Sequence, residues 1–158
     1  MTVGRWWRVA RRWYGDRRSP ALVLTYHRIG EGETDPWDLC VSRRHFAEHL
    51  DVLSRRFRVL PLGRMVESIV AGRVLRRAVA ITFDDGYADN LVEAAPLLAS
   101  ADLPATIFVT TGGIDRRCEF WWDELDRLLL QSNRLPETLR LTIAGEVVEW
   151  HLGSSANY

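Results

Sequence analysis

The sequence contains no lysine: all 21 of its basic residues are arginine, and 21 acidic residues balance them. A formal net charge of zero leaves no excess of positive charge to attract a phosphate backbone. We therefore predict no nucleic-acid partner. We interpret the missing lysine as an effect of genome composition rather than of function.

Cysteines and long apolar runs are scarce as well. Cys40 and Cys118 lie far apart and in no C-x-x-C pair, so the sequence predicts neither a disulfide framework nor a cysteine zinc site. No apolar run approaches the ~18 residues of a membrane-spanning helix. No apolar stretch of the signal-peptide type follows the first arginines. We expect a chain that is cytoplasmic or peripheral to a membrane.

The N-terminal residues 1–18 differ in composition from the rest of the chain. They hold six arginines and one acidic residue, a net charge of +5. Trp6, Val9 and Trp13 recur at helical spacing, so one face of a helix here would be apolar and aromatic. Such a helix can lie on an anionic membrane surface. Alternatively, it can pack on the domain or form a frayed arm. The membrane interpretation and these structural ones all stay open.

We treat residues 1–19 as an arm and residues 20–158 as one partial domain. Short apolar runs in the domain alternate with segments of helical periodicity. The predicted strands are residues 21–26, 57–60, 78–83 and 105–109, and the predicted helices begin near Ser42, Met65, Ala88 and Asp123. This alternation favours parallel βαβ units. Beyond Pro136, alternating apolar residues around Ala144-Gly145 predict a hairpin.

Two local signals set the helix ends. Ser42 can cap a helix whose apolar positions Phe46, Leu50 and Leu53 keep a helical period. Pro96 should kink or restart the helix that it interrupts, because proline cannot donate a backbone hydrogen bond.

Polar and reactive side chains follow three of the predicted strands. His27 follows the first, Asp84 and Asp85 follow the third, and residues 110–113 follow the fourth. Functional groups of βα folds collect at these strand ends. Gly86 permits an abrupt turn, so both carboxylates can aim at one mouth. Because adjacent bare carboxylates repel, a cation on one of them would let the other stay ionised and act as a base.

Three segments together resemble one family. Residues 82–86 (T-F-D-D-G) are similar to the first signature of the polysaccharide deacetylases, the NodB-homology family or carbohydrate esterase family four. Residues 24–29 resemble the Y-H-x-I strand of a bacterial branch, and residues 103–109 resemble the P-A-T-x-F-V strand. The resemblance covers roughly residues 21–112 and gains specificity because the three segments occur in the family's order.

The resemblance implies an α/β fold, the N-terminal half of a distorted (β/α) barrel. It implies a hydrolase that removes N-acetyl, or sometimes O-acetyl, groups from sugars such as N-acetylglucosamine units. Asp84 would be the general base and Asp85 a ligand of a divalent metal, usually zinc. The family's H-[S/T]-x-x-H metal ligands do not follow Asp85, since His151 is the only later histidine. We therefore expect a fragment with little activity of its own and the missing motifs further downstream in the gene.

Four further residues are candidates for the site. His27 and Asn90 are candidates for its rim; His27 can equally be a hydrogen-bonded residue that holds the first loop. Trp121 and Trp122 are candidates for stacking on a sugar ring, or for packing at a helix entry.

Two alternatives remain. Residues 45–49 match the inverted zincin pattern H-x-x-E-H, although an amphipathic helix explains the same spacing. A non-catalytic module that binds glycan or a membrane surface would also keep the front of the fold. The sequence predicts neither an oligomeric state nor the identity of the sugar.

Overall fold

The computed structural model describes residues 21–32, 34–73, 75–114, 118–132 and 135–153. It divides into two compact units. The first runs to Glu31 and continues over Asp38–Gly112, and the second comprises Gly32–Trp37 and the residues from Gly113 onward. The predicted arm lies outside the described residues, so its boundary with the domain stays a prediction.

The first unit is a parallel sheet with helices, as predicted. Its elements in chain order are β1 (Leu22–Tyr26), β2 (Arg28–Ile29), β3 (Cys40–Val41), α1 (Arg43–Arg56), β4 (Arg58–Val59), α2 (Leu62–Val70), β5 (Ala78–Phe83), a π-helical turn (Asn90–Ala94), α3 (Ala95–Ser100) and β6 (Ala105–Ile107). A 3-10 turn (Thr111–Gly113) spans the boundary between the two units in the sequence. These bounds confirm the four predicted strands and the helices between them to within a few residues.

Strand β5 is the centre of this sheet. Strand β1 pairs with it along one edge, from Leu22 beside Val79 to Tyr26 beside Phe83. Strands β4 and β6 share the other edge, β4 beside the first half of β5 and β6 beside the second half. All of these pairings are parallel. The strand ends that carry the predicted site residues therefore meet at one end of the sheet.

All six residues of β5 are buried because both faces of the strand are covered. Its alternating side chains divide the core in two. Val79, Ile81 and Phe83 pack with the apolar face of α1, and Ala78 and Ala80 pack with Met65 of α2. The run 78–83 thus reads as continuously apolar rather than alternating, the pattern of a central parallel strand.

The predicted helix ends are confirmed. Ser42 caps α1, its hydroxyl accepting the backbone N–H of His45 at 3.2 Å. Pro96 lies in the first turn of α3. Before it, the N–H of Ala95 donates to Asn90 O, the i to i+5 bond of a π-helical turn. The proline restarts the helix, since it cannot continue the hydrogen-bond ladder itself.

The second unit contains α4 (Trp121–Leu129) and the antiparallel strands β7 (Thr138–Ile143) and β8 (Glu146–His151). The predicted pair of C-terminal strands is therefore present, and the chain reverses at Ala144 and Gly145, which both have positive φ. Within the described ranges, no helix has the length and apolar character that crossing a membrane requires.

Candidate active site

Asp84 and Asp85 lie at the carboxyl end of β5, where the chain turns sharply. The ladder with β1 extends one residue past the strand, because the N–H of Asp84 donates to Tyr26 O at 2.9 Å. Asp85 and Gly86 then both adopt left-handed backbone, with φ of 69° and 74°. The Gly86 N–H closes back on Asp84 O at 2.9 Å. This turn ends the strand and places both aspartates in the loop that directly follows β5.

The turn is fastened to the chain that follows β6. The Thr110 N–H donates to Asp85 O at 3.3 Å. A Cβ on Gly86 would lie 3.2 Å from the backbone Cα of Val109, tighter than nine in ten real Cβ contacts. Only glycine suits this close approach and positive φ together. The motif around the aspartates and the strand at residues 105–107 therefore form one local structure.

His27 follows β1 directly, and the register of that strand brings it beside Asp84. It is half-buried, and its carbonyl oxygen accepts the Asn90 side-chain amide at 2.8 Å. Asn90 is only 1% exposed. The structure thus brings three of the predicted site residues, His27, Asp84 and Asn90, to the same end of the sheet. Asn90 thus contacts the loop that follows β1.

Sequence reasoning missed a row of threonines below the strand ends. The strand register aligns Thr25 with Thr82 and Thr82 with Thr106. The hydroxyls of Thr25 and Thr82 lie 3.1 Å apart, and the Thr82 hydroxyl donates to Leu24 O at 3.1 Å. Thr82 is buried, so these bonds satisfy a polar group inside the sheet. The signal was present in the sequence but depends on the register, which the sequence alone does not fix.

The histidines of the zincin-like pattern contact other partners. His49 Nδ1 lies 3.2 Å from the Tyr26 hydroxyl, and His45 Nε2 lies 2.9 Å from the Arg44 guanidinium. Burial lowers the pKa of His49, and the positive charge of protonated His45 acts in the same direction. Burial also raises the pKa of Tyr26 to about 12. This arrangement is that of an amphipathic helix face, with Tyr26 packed edge-on against Phe46.

The described part of the chain contains no group of three or more His, Cys, Asp or Glu side chains that could hold a metal ion. Catalytic zinc usually has three protein ligands. Asp85 therefore supplies one carboxylate at the strand end, and the described residues do not complete a zinc site around it.

The two candidate tryptophans for sugar stacking belong to the second unit and differ from each other. Trp122 is half-buried and stacks on Phe120 with ring centroids 4.7 Å apart. Trp121 is 66% exposed and stands edge-on to Trp122 at 5.4 Å. Trp122 thus packs on the neighbouring Phe120 ring, whereas Trp121 presents an indole to solvent.

These features define a mixed α/β protein with two adjacent aspartates at the carboxyl end of its central parallel strand. Residues 71–136 match the family model described as polysaccharide deacetylase. YxkH of Bacillus subtilis (strain 168), named a putative polysaccharide deacetylase, is 33% identical over 89 residues, 55% of this chain and 30% of that protein. The predicted relationship to the polysaccharide deacetylases is therefore confirmed for this part of the chain.

Solved structures share the fold of part of this chain. IcaB from Ammonifex degensii matches with a TM-score of 0.55 and 31% identity, over 63% of this chain and 42% of that one. A de-N-acetylase from Aggregatibacter actinomycetemcomitans matches with a TM-score of 0.55 and 20% identity, over 64% and 43%, and shows a shared fold. This chain spans less than half the length of each of these relatives.

Proposed function

We propose that this chain is part of a hydrolase that removes N-acetyl groups from a polysaccharide or from N-acetylglucosamine-type sugars, with Asp84 as the general base. One observation carries the proposal: Asp84 and Asp85 lie at the mouth of β5, held there by left-handed backbone at Asp85 and Gly86. The names of the matched relatives, polysaccharide deacetylase and de-N-acetylase, support the class of substrate.

The chemistry of Asp84 is that of a base in amide hydrolysis. Its carboxylate takes a proton from a water molecule, and the water oxygen adds to the acetyl carbon. The carbon–nitrogen bond then breaks, the nitrogen leaves with a proton, and acetate and a free amine are the products. A positioned base of this kind contributes typically 10²–10⁴-fold to the rate.

Asp85 is our proposed metal ligand, and the family resemblance indicates zinc. A bound divalent cation would supply charge stabilisation to the acetyl oxygen. The described residues offer no complete ligand set, so the other ligands would have to come from outside them.

We further propose that the first unit is the front part of a distorted (β/α) barrel. Support comes from the parallel pairing of β1, β4 and β6 with β5 and from the match to 42% of IcaB. The exposed apolar residues after Ala105 are consistent with a partner strand at this edge; they are Ile107, Phe108 and Val109.

The test is acetate release from an N-acetylated glycan by the protein encoded by the whole reading frame. Asp84→Asn removes the base while keeping its size, so we expect a loss of at least about 100-fold. Asp102→Asn is the matched control, because Asp102 is exposed and asparagine also tolerates its positive φ of 53°. Unchanged release by Asp84→Asn would remove Asp84 from the role of base.

A non-catalytic glycan-binding module is the second candidate, and the exposed indole of Trp121 favours it. Aromatic faces pack well on the apolar faces of sugars. Glycan binding that is lost in Trp121→Ala, together with no acetate release by the full-length protein, would support this function instead. Contact of residues 1–18 with a membrane surface also stays a proposal.

A further inference from the structure

Two adjacent residues beyond the aspartates bind every residue of the segment that follows β1. Asp89 Oδ1 accepts the N–H of Ile29 at 3.2 Å, and Asp89 Oδ2 accepts Arg28 Nε at 3.1 Å. The Asn90 side-chain amide donates to His27 O at 2.8 Å. The segment is thus held at each residue: at His27 through its carbonyl, at Arg28 through its side chain and at Ile29 through its N–H.

The pair Asp89 and Asn90 is itself fixed. Asn90 Nδ2 donates to Asp89 Oδ1 at 3.0 Å as well as to His27 O, so both of its contacts need the amide nitrogen and the orientation of the amide is determined. Asn90 opens the π-helical turn before Pro96, and π-helical turns are frequent at functional sites. The pair is therefore an ordered element rather than a surface contact.

Stability alone does not explain this arrangement. Asn90 Oδ1 is buried and has no hydrogen-bond partner in the described part of the chain. A buried acceptor without a partner is destabilising. The side chain of Ile29 is fully buried in the core cluster and already anchors the segment there. Residues that break a local rule of this kind are expected at functional sites.

The same segment also meets the motif loop from its other side. The Arg28 guanidinium lies over the ring of Tyr87, 4.8 Å from its centre, and Tyr87 directly follows Gly86. Tyr26 O accepts the Asp84 N–H just before the segment begins. The loop after β1 and the loop after β5 are consequently joined at both ends of the turn that carries the aspartates.

We infer that Asp89 and Asn90 are positioning residues that fix His27 beside Asp84 at the mouth of the sheet. They act through hydrogen bonds to the backbone of His27 and Ile29 and to the side chain of Arg28, not by contact with a substrate. The inference rests on the proposed function only in taking this end of the sheet to be the active site. The placement of His27 itself can be measured without a substrate, so the two proposals can fail separately.

The first readout is the imidazole Cε1–H signal of His27 in NMR spectra of the folded chain, assigned by its loss in His27→Gln. We expect Asn90→Ala and Asp89→Ala to shift or broaden this signal. The signal of His151, in the second unit, should stay in place. Glu93→Ala is the matched control, because Glu93 lies in the same π-helical turn but its carboxylate pairs with Arg43 at 2.6 Å. It should leave the His27 signal unchanged.

The second readout is hydrogen exchange of the Ile29 amide. Loss of its bond in Asp89→Ala should speed exchange by about fivefold, the factor that a typical hydrogen bond provides. Asp89→Asn keeps an oxygen for this N–H and should restore protection, although it removes the charge that binds Arg28.

The inference is overturned if the His27 signal stays unchanged in folded Asn90→Ala and Asp89→Ala. A shift of equal size in Glu93→Ala would also contradict it. If both alanine variants fail to fold, the inference is also contradicted, because Asp89 and Asn90 would then be needed for folding rather than for the placement of His27. None of these outcomes bears on acetate release by the full-length protein, which Asp84→Asn tests.

Discussion

Replacing Gly86 with alanine tests how the turn at the aspartates is built. Two costs add at this position. An L-residue at the left-handed φ of 74° costs about 1–2 kcal/mol. The new Cβ would lie 3.2 Å from Val109 Cα and 3.2 Å from its Cγ1, and overpacking of this kind typically costs about 1–3 kcal/mol. The smaller entropy of unfolded alanine returns roughly 0.4–1 kcal/mol. We expect a net loss of about 1–5 kcal/mol.

Two other glycines of the same unit separate these costs. Gly72 has a φ of 68° but open space around its Cβ position, so Gly72→Ala should cost only the backbone term, about 1 kcal/mol after the entropy gain. Gly63 lies in α2 with open space and no positive φ, so Gly63→Ala should stabilise the chain by up to about 1 kcal/mol.

The assay is urea unfolding followed by far-ultraviolet circular dichroism, which compares the free energies of unfolding of the three variants with that of the parent chain. Gly63→Ala should be the most stable of the four proteins, followed by the parent chain and Gly72→Ala, and Gly86→Ala should be the least stable. If Gly86→Ala loses no more stability than Gly72→Ala, the close approach to Val109 does not constrain the turn. The reasoning about how the aspartates are held would then be refuted.

Three further predictions concern the first unit. Ser42→Ala removes the cap bond to His45 and should lower the free energy of unfolding by about 1 kcal/mol in urea; no loss would contradict the cap. Tyr26 has a pKa of about 12 in the folded chain against 10.0 ordinarily. Its contribution to the free energy of unfolding is therefore complete below pH 10 and is lost as the pH rises toward 12, by at most about 2.7 kcal/mol. Tyr26→Phe should abolish this alkaline loss in pH-dependent unfolding; if the loss persists in the variant, another group causes it. The pKa of His49 is lowered in the folded chain, so its contribution to the free energy of unfolding is present above pH 6.5 and is lost as the pH falls through the folded pKa. If His49→Gln and the parent chain lose the same stability in acid when unfolded in urea, His49 is not the cause.

Much of the first unit could be predicted because its signals are local. A continuous apolar run gave the bounds of β5 without error, since a strand buried on both faces needs no alternation. Ser42 and the apolar spacing from Phe46 to Leu53 predicted the start and the buried face of α1. Pro96 predicted the break in the helix after the aspartates. Each of these signals acts within a few residues of the element that it determines.

Other features depend on tertiary contacts and could not be predicted. Strands β2 and β3 have two residues each, too few for a period, and only their pairing identifies them. The sharing of one edge of β5 by β4 and β6 follows from lengths and registers that the sequence does not specify.

The candidate site shows the same division between local and distant signals. Asp84, Asp85 and Gly86 were predicted at the strand end from adjacent letters. The attachment of Asn90 to His27 joins residues 63 positions apart in the sequence, and no periodicity reports such a contact. The bonds of Asp89 to residues 28 and 29 likewise depend on the fold and have no local sequence signal.

Acetate release decides whether Asp84 is the base of an N-acetyl hydrolase. The full-length protein, its Asp84→Asn variant and its Asp102→Asn control are incubated with an N-acetylated glycan, and free acetate is measured over time. Our account predicts release by the parent and the control and a loss of about 100-fold or more in Asp84→Asn. Equal release by all three proteins would contradict it.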